Sequence, residues 1–258
     1  MIPIVLIGAA GRMGRAVADA VAGADTLCLK ARIERPEIPP PGGGVGTWGY
    51  DASAVVARGD VVVEFSSPAG AAAAAALCAE RGAALVSGTT GLGVVEEEAL
   101  RTAARRIAVV RAANFSLGVL ALRRALASAL AALPGSWDVE IVERHHRLKQ
   151  DAPSGTALQL ARDAAARRGY AEGAFRNGRS GRAGPRPKAE IGIHALRGGT
   201  WVGDHAVVLA GRGEWLELRH VAEDRSAFAH GVLAAVGFVA TAAPGFYTLE
   251  DVAGAAAH

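Results

Sequence analysis

Over its first 115 residues the chain alternates short apolar runs with Ala-rich stretches that carry polar residues at helical spacing. Residues 2–7 predict a strand, a Gly-rich turn follows, and 12–23 predict a helix. The alternation continues with strands over 28–33, 61–65, 84–86 and 107–110 and helices over 69–81 and 95–106. Short strands that are apolar throughout, separated by helices, indicate parallel βαβ units whose sheet is buried on both faces. Pro36, Pro39, Pro40, Pro41 and Gly42-Gly43-Gly44 interrupt either periodicity and predict a loop between the second and third strands.

The pattern changes after Asn114. A long helix over 117–133 stops at Pro134-Gly135, a strand over 138–143 runs into a dense polar cluster, and a helix follows over 156–168. Residues 173–188 are rich in Gly, Arg and Pro and predict an exposed, mobile loop. Strands over 190–196, 201–209 and 214–222 alternate in the manner of a sheet with one helix-covered face, and a last helix over 226–239 could pack on either half. The expected fold is α/β: an N-terminal Rossmann-type parallel sheet over 1–116, then a C-terminal α+β domain with an open mixed sheet over 117–224. Residues 225–258 form a closing segment.

Composition narrows the function classes. The 258 residues are 51% hydrophobic and 21% charged, enough to bury a core and too apolar for disorder. A formal net charge of +3 makes no nucleic-acid footprint at this length. The apolar run around 232–243 is too short to span a bilayer, and the N-terminal apolar run lacks the basic flank and cleavage site of a signal peptide. Neither Cys28 nor Cys78 has a CxxC partner, which predicts two buried thiols in a reducing, cytoplasmic compartment. Only Lys30, Lys149 and Lys188 are lysines among 28 basic residues, so a lysine inside a motif stands out.

Candidate chemistry begins at Gly8-Ala9-Ala10-Gly11-Arg12-Met13-Gly14, placed after a strand and opening a helix. Glycines there allow a tight turn and close approach of a pyrophosphate to a helix N-terminus. About 20 residues on, Glu34-Arg35 ends the second strand. A carboxylate at that place accepts hydrogen bonds from an adenosine ribose, whereas Arg35, with Arg12, suits a 2′-phosphate. Gly88-Thr89-Thr90-Gly91 and Ala112-Ala113-Asn114-Phe115-Ser116 follow two further strands and are expected to face the nicotinamide half.

The most specific cluster is Glu143-Arg144-His145-His146-Arg147-Leu148-Lys149-Gln150-Asp151-Ala152-Pro153-Ser154-Gly155-Thr156-Ala157. It supplies a group that titrates near neutral pH, a fixed cation and bare amides at a helix N-terminus. Such a set suits a small anionic substrate that is protonated during reaction. No metal is expected, because adjacent histidines on an extended chain point to opposite sides.

These motifs together resemble the 4-hydroxy-tetrahydrodipicolinate reductase (dihydrodipicolinate reductase) family of bacterial lysine and diaminopimelate biosynthesis. The resemblance covers nearly the whole chain, including Arg197-Gly198-Gly199, Val202-Gly203-Asp204-His205 and Gly245-Phe246-Tyr247. It implies NADPH or NADH as cofactor, a homotetramer, and a C-terminal helix that returns to the nucleotide domain. By motif match, Gly8, Ala9, Ala10, Gly11, Arg12, Met13, Glu34, Arg35, Gly88, Thr89, Thr90, Ala112, Ala113, Asn114 and Phe115 contact the cofactor. His145 and Lys149 take the proton-donor roles, and His146, Gly155 and Thr156 bind substrate carboxylate.

The chain departs from the family pattern at Thr200-Trp201, where an acidic and an aliphatic residue are usual, and at Glu223-Asp224, where small serines are usual. Those changes leave room for a paralogue that reduces another cyclic C=N compound, such as dihydrofolate or a dihydropterin. A nucleotide-sensing Rossmann protein without turnover is the reading from another class. The intact HHxxK element speaks against it, since a pure binder needs no proton donor.

Overall fold

The computed structural model describes residues 1–40 and 45–255, in two compact units. Met1–Leu117 and Arg225–His258 make the first, and Gly118–Asp224 the second.

The first unit opens with β1 (Ile2–Ile7), α1 (Arg12–Ala22), β2 (Leu27–Ile33), β3 (Thr47–Gly49) and β4 (Val61–Glu64). It continues through α2 (Pro68–Arg81), β5 (Ala84–Ser87), α3 (Val94–Ala103) and β6 (Ala108–Arg111). Helix α2 shows why such boundaries fall where they do. Ser67 caps the Gly70 amide at 3.1 Å, Pro68 supplies a preset φ at the first position, and Gly82 ends the helix at φ +70°.

The second unit holds most of α4 (Leu117–Ala132), then β7 (Asp138–His145), α5 (Gly155–Arg168), β8 (Phe175–Asn177), β9 (Ile191–Arg197), β10 (Gly203–Ala210) and β11 (Trp215–Ala222). The chain then completes the first unit with α6 (Ser226–Val239), β12 (Gly245–Tyr247) and α7 (Leu249–Ala255).

The first sheet has the order β12-β6-β5-β4-β1-β2-β3 with every neighbour parallel. Strand order reverses on the two sides of β1, so the turn after β1 lies at the switch point where open parallel sheets take ligands. Val5, Val62, Leu85 and Val109 pack one face of this sheet against Ala71, Ala74 and Cys78 of α2 and Leu100 of α3. Helix α6 packs on α1, and its Gly231 lets the Phe115 carbonyl approach where a Cβ would overlap it.

The second sheet is mixed, in the order β11-β10-β7-β9-β8: β10 runs antiparallel to β11 and β7, while β9 runs parallel to β7 and β8. Ile141, Ile191, Ile193, Val207 and Leu209 bury one face under α4 and α5 through Leu126, Leu130, Leu160 and Ala164.

Several expectations change. The three-residue edge strands β3 and β12 and the short α7 go beyond the predicted elements, because such short pieces gain their order from a neighbouring strand or helix and carry little periodicity of their own. Pro41 and Gly42–Gly44 of the predicted loop lie outside the described residues. Cys78 is buried and its thiol is pushed up to about 12 by burial, but Cys28 is only half-buried. Trp201 precedes β10 instead of opening it; its ring lies against the Gly198 backbone and remains about half exposed.

The largest correction concerns residues 173–188. They include a short 3-10 turn and β8, and two arginines tie the segment to the sheet. Arg179 binds Glu140 and Glu190, and Arg186 binds Glu140 at 2.9 Å and Asp138 at 2.7 Å. His194 reaches the same Glu140 at 2.8 Å. Burial alone would raise Glu140, but the hydrogen bonds from Arg179, His194 and Arg186 hold it down at about 2.

Gly192 makes room for this arrangement, since a Cβ there would overlap the Glu140 carboxylate. That carboxylate cannot swing aside without leaving its hydrogen bonds to Arg179, Arg186 and His194. Gly192→Ala is therefore expected to destabilise the protein by about 1–3 kcal/mol, read as a fall in urea midpoint with unchanged m-value.

Candidate active site

In the first unit the predicted cofactor residues gather at the carboxyl ends of β1, β2, β5 and β6. Gly8 has φ +81°, and a Cβ there would overlap the Phe65 carbonyl, so only glycine suits the turn. Gly14 lets α1 approach the turn, where a side chain would strike Gly8 and Ala9. The Gly8 and Ala9 amides bond the Ile33 carbonyl at 3.0 and 3.4 Å, which ties the turn to β2. Gly11 caps α1, Arg12 is its exposed first residue and Met13 is half-buried.

Glu34 lies just past β2. Its carboxylate accepts the Ala10 amide at 3.0 Å and the Arg35 amide at 3.1 Å, which fixes it beside the turn. Arg35 is exposed and 3.4 Å from Glu37, a surface pair that a phosphate can displace at small cost. Burial first, and then the positive charge of Arg12, lower the proton affinity of Arg225. Two guanidiniums near one another beside a glycine turn favour an anion. The narrow turn, the fixed carboxylate and these arginines fit a dinucleotide.

Gly88 and Thr89 are buried and Thr90 is exposed. Gly88 lies against the Phe65 ring, where a Cβ would overlap it. Ala112 bonds the Ser87 carbonyl at 3.2 Å, Ala113 is exposed, and Asn114 accepts the Ser116 amide at 2.8 Å. Phe115 turns inward and meets Phe65 edge-on at 5.9 Å, so its side chain forms a wall behind these loops.

In the second unit His145 is the last residue of β7, two residues beyond the predicted strand end. Glu143 and His145 are two apart on a strand and share a face. Glu143 is fully buried, and one oxygen lies 2.6 Å from His145 Nδ1. Arg197 donates to both Glu143 oxygens at 2.7 and 2.8 Å, and the Ser154 amide donates at 3.0 Å. Burial by itself would raise Glu143, but hydrogen bonds from His145 and Arg197 hold it down at about 2. A carboxylate at Nδ1 keeps the proton there and directs Nε2 outward. Among the described residues Nε2 has no hydrogen-bond partner and is not sealed off.

Residues 146–149 form a turn closed by the Lys149 amide on the His146 carbonyl at 3.1 Å. Lys149 is half-buried and its ammonium bonds the Asp151 carboxylate at 2.8 and 2.9 Å. That hydrogen bond, ahead of burial, keeps Asp151 below its usual range. His146 is half-buried beside it. Ser154 caps α5 by accepting the Ala157 amide at 3.2 Å, and Gly155 and Thr156 begin the helix, with open space around the Gly155 backbone. Anions are stabilised at such a start by the first amides and the helix dipole.

His205, on β10, lies edge-on to His145 at 5.1 Å, with Nε2 3.0 Å from Ser154 Oγ. Burial, then the charge of His145, lowers it to about 4, so it stays neutral near pH 7. Asp204 binds Arg144 at 2.9 Å and Arg219 at 2.7 Å and fixes the strand ends around the cluster. Among the described residues no group of three His, Cys, Asp or Glu side chains has metal-holding geometry.

Two family models cover almost the whole chain: "Dihydrodipicolinate reductase, N-terminus" matches residues 2–115, and "Dihydrodipicolinate reductase, C-terminus" matches 118–253. The chain belongs to the dihydrodipicolinate reductase family. It is 43% identical over 265 residues to the 4-hydroxy-tetrahydrodipicolinate reductase of Parvibaculum lavamentivorans, with 98% of each chain covered. Identity to the Caulobacter vibrioides enzyme of the same name is 41% over 256 residues, covering 98% of this chain and 97% of that one. The dipicolinate-bound dihydrodipicolinate reductase of Paenisporosarcina sp. TG-14 shares the fold at a TM-score of 0.78, with 22% identity over 96% of this chain and 97% of that chain.

Within this family frame, the supports around His145 went beyond the sequence reading. The period-two relation of Glu143 to His145 was a usable signal. Arg197 and His205 come from other strands, far along the chain, and no spacing announces them.

The buried groups set the response to acid. His205 falls from 6.5 unfolded to about 4 folded, so the unfolded chain binds more protons between those values. Stability should fall by about 3 kcal/mol as pH drops from about 6.5 to about 4. Glu140 and Glu143 are lowered from 4.5 to about 2, so their contribution is intact above 4.5 and is lost toward 2. Urea unfolding across this range should show both stages, and His205→Gln should remove the first alone.

Proposed function

We propose that this chain reduces 4-hydroxy-tetrahydrodipicolinate to tetrahydrodipicolinate with NAD(P)H and one proton, the 4-hydroxyl leaving as water, in keeping with the names of its relatives. The observation that carries the reading is His145: its Nδ1 is held by a buried carboxylate and its Nε2 is open, beside a helix start suited to carboxylate.

The cofactor, when bound, supplies the hydride. Arg12 and Arg225 hold its phosphates beside the glycine turn, Glu34 accepts from the ribose, and loops 88–90 and 112–115 take the nicotinamide half. In the second unit the Gly155 and Thr156 amides and His146 hold a substrate carboxylate. Lys149 exchanges its Asp151 partner for substrate and stabilises developing negative charge. His145 gives its Nε2 proton to the reduced ring system and keeps its Nδ1 proton, donated to the Glu143 carboxylate, so the base left behind is neutral and oriented.

Glu223 and Asp224 are exposed, and Trp201 is half exposed, so the departures from the family pattern lie at the surface of the second unit. They support no change of substrate. The working form is a homotetramer in the cytoplasm; exposed Leu196, Trp215, Leu216 and Val221 supply apolar surface for subunit contacts. Among the described residues no helix is long and apolar enough to cross a membrane. NADPH consumption with freshly generated 4-hydroxy-tetrahydrodipicolinate, run beside dihydrofolate, tests the substrate. Turnover of dihydrofolate alone would overturn it.

His145→Ala should lower kcat roughly 100-fold or more with a much smaller rise in substrate KM. Lys149→Ala should damage both parameters, and neither change should alter NADPH affinity. Steady-state kinetics with cofactor titration by fluorescence separates these effects.

Arg35→Ala should weaken NADPH far more than NADH, by on the order of 1–3 kcal/mol. Equal losses for the two cofactors would show that Arg35 does not read the 2′-phosphate.

A further inference from the structure

Glu64 ends β4, next to β1 in the middle of the dinucleotide sheet, and it is fully buried. Buried carboxylates ordinarily have a cationic partner, because a desolvated lone ion is strongly unfavourable. Among the described residues Glu64 has none.

Its partners are neutral donors: Ser66 just past β4, Ser87 at the end of β5, and Thr89 in loop 88–90. Oε1 accepts the Ser66 amide at 2.7 Å, Ser66 Oγ at 2.6 Å and Thr89 Oγ1 at 2.6 Å. Oε2 accepts Ser87 Oγ at 3.0 Å. Three donors converging on one oxygen, with both of its hydroxyl bonds this short, are the geometry of an ionised carboxylate. These donors stabilise the charge without cancelling it. The carboxylate therefore places negative charge directly behind Thr89, and among the described residues no cation pairs with it.

Thr89 belongs to the loop that the proposed function assigns to the nicotinamide half, and the inference rests on that reading. When hydride leaves with its electron pair, the nicotinamide ring changes from neutral to a unit positive charge. We propose that Glu64 is the built-in counter-charge of the oxidised nicotinamide: a positioning residue that holds loop 88–90 and biases the site toward the cationic form of the cofactor. The same bias favours hydride departure, because positive charge is already developing in the transition state.

Glu64→Gln separates charge from shape. The retained oxygen keeps its three donors, and the new amide can donate to the Ser87 hydroxyl, which turns to accept. Binding of NADPH and NADP+ to the full-length protein is measured by titration calorimetry, with thermal unfolding of the ligand-free protein alongside. The expected result is a rise of about tenfold or more in the NADP+ Kd relative to the NADPH Kd. The potential of the bound couple should move positive, while the ligand-free melting temperature stays at or above that of wild type. Glu64→Asp keeps the charge but withdraws it by one methylene, so both Kd values should rise together and their ratio should hold within about twofold.

An unchanged ratio in Glu64→Gln would overturn the proposal. So would a Glu64→Gln protein that no longer folds, since the charge would then serve the fold. Gly88→Ala tests the underlying reading, because its Cβ would overlap the Phe65 ring and displace the loop. Unchanged affinity for both cofactors in that variant would overturn the assignment of loop 88–90, and the counter-charge with it.

Discussion

The Glu143 carboxylate is the point on which the candidate substrate site depends. It has no contact with water and four donors reach it, from His145, from both terminal nitrogens of Arg197 and from the Ser154 amide. Those donors come from β7 itself, from β9 and from the segment that starts α5. One buried charge therefore sets the rotamer and tautomer of His145, the end of β9 and the position of the helix start. Truncating it would leave the Arg197 guanidinium and the His145 ring without their partner in a site of low dielectric.

The two units treat charge differently. In the second, buried and half-buried acids are matched with cations: Glu143 with Arg197, Glu140 with Arg179 and Arg186, Asp204 with Arg144 and Arg219. These pairs pin strand ends and the long segment before β9. In the first unit, like charges lie together beside the glycine turn. Arg12 and Arg225 lie near each other, and Glu64 has only neutral donors. Like charges held close together are eased when a ligand of opposite charge binds beside them.

Glycines mark where backbone must approach backbone or a fixed group. Gly8 and Gly14 bring β1, the turn and α1 together, and Gly192 admits the Glu140 carboxylate. The first two were readable as a nucleotide motif because their spacing after a strand is tied to one local shape. Gly192 sits in a strand with no motif around it, and its reason appears only when β7 is laid beside β9.

The sequence by itself determined most of the fold and singled out the candidate reacting groups. Apolar runs and helical periodicity record which faces are buried, so every strand of five or more residues and every long helix was legible within a few positions. The glycine turn, Glu34-Arg35 and the HHxxK cluster were legible because each function is concentrated in one short segment. Tertiary structure decided what pairing alone can supply. The strands β3, β8 and β12 are too short to carry a period and are ordered by their neighbours. Residues 173–188 look like a free loop in composition, yet their arginines find Glu140 and Asp138 on another strand. Arg197 and His205 join His145 from β9 and β10 because sheet register brings them there, and register is a property of strands together.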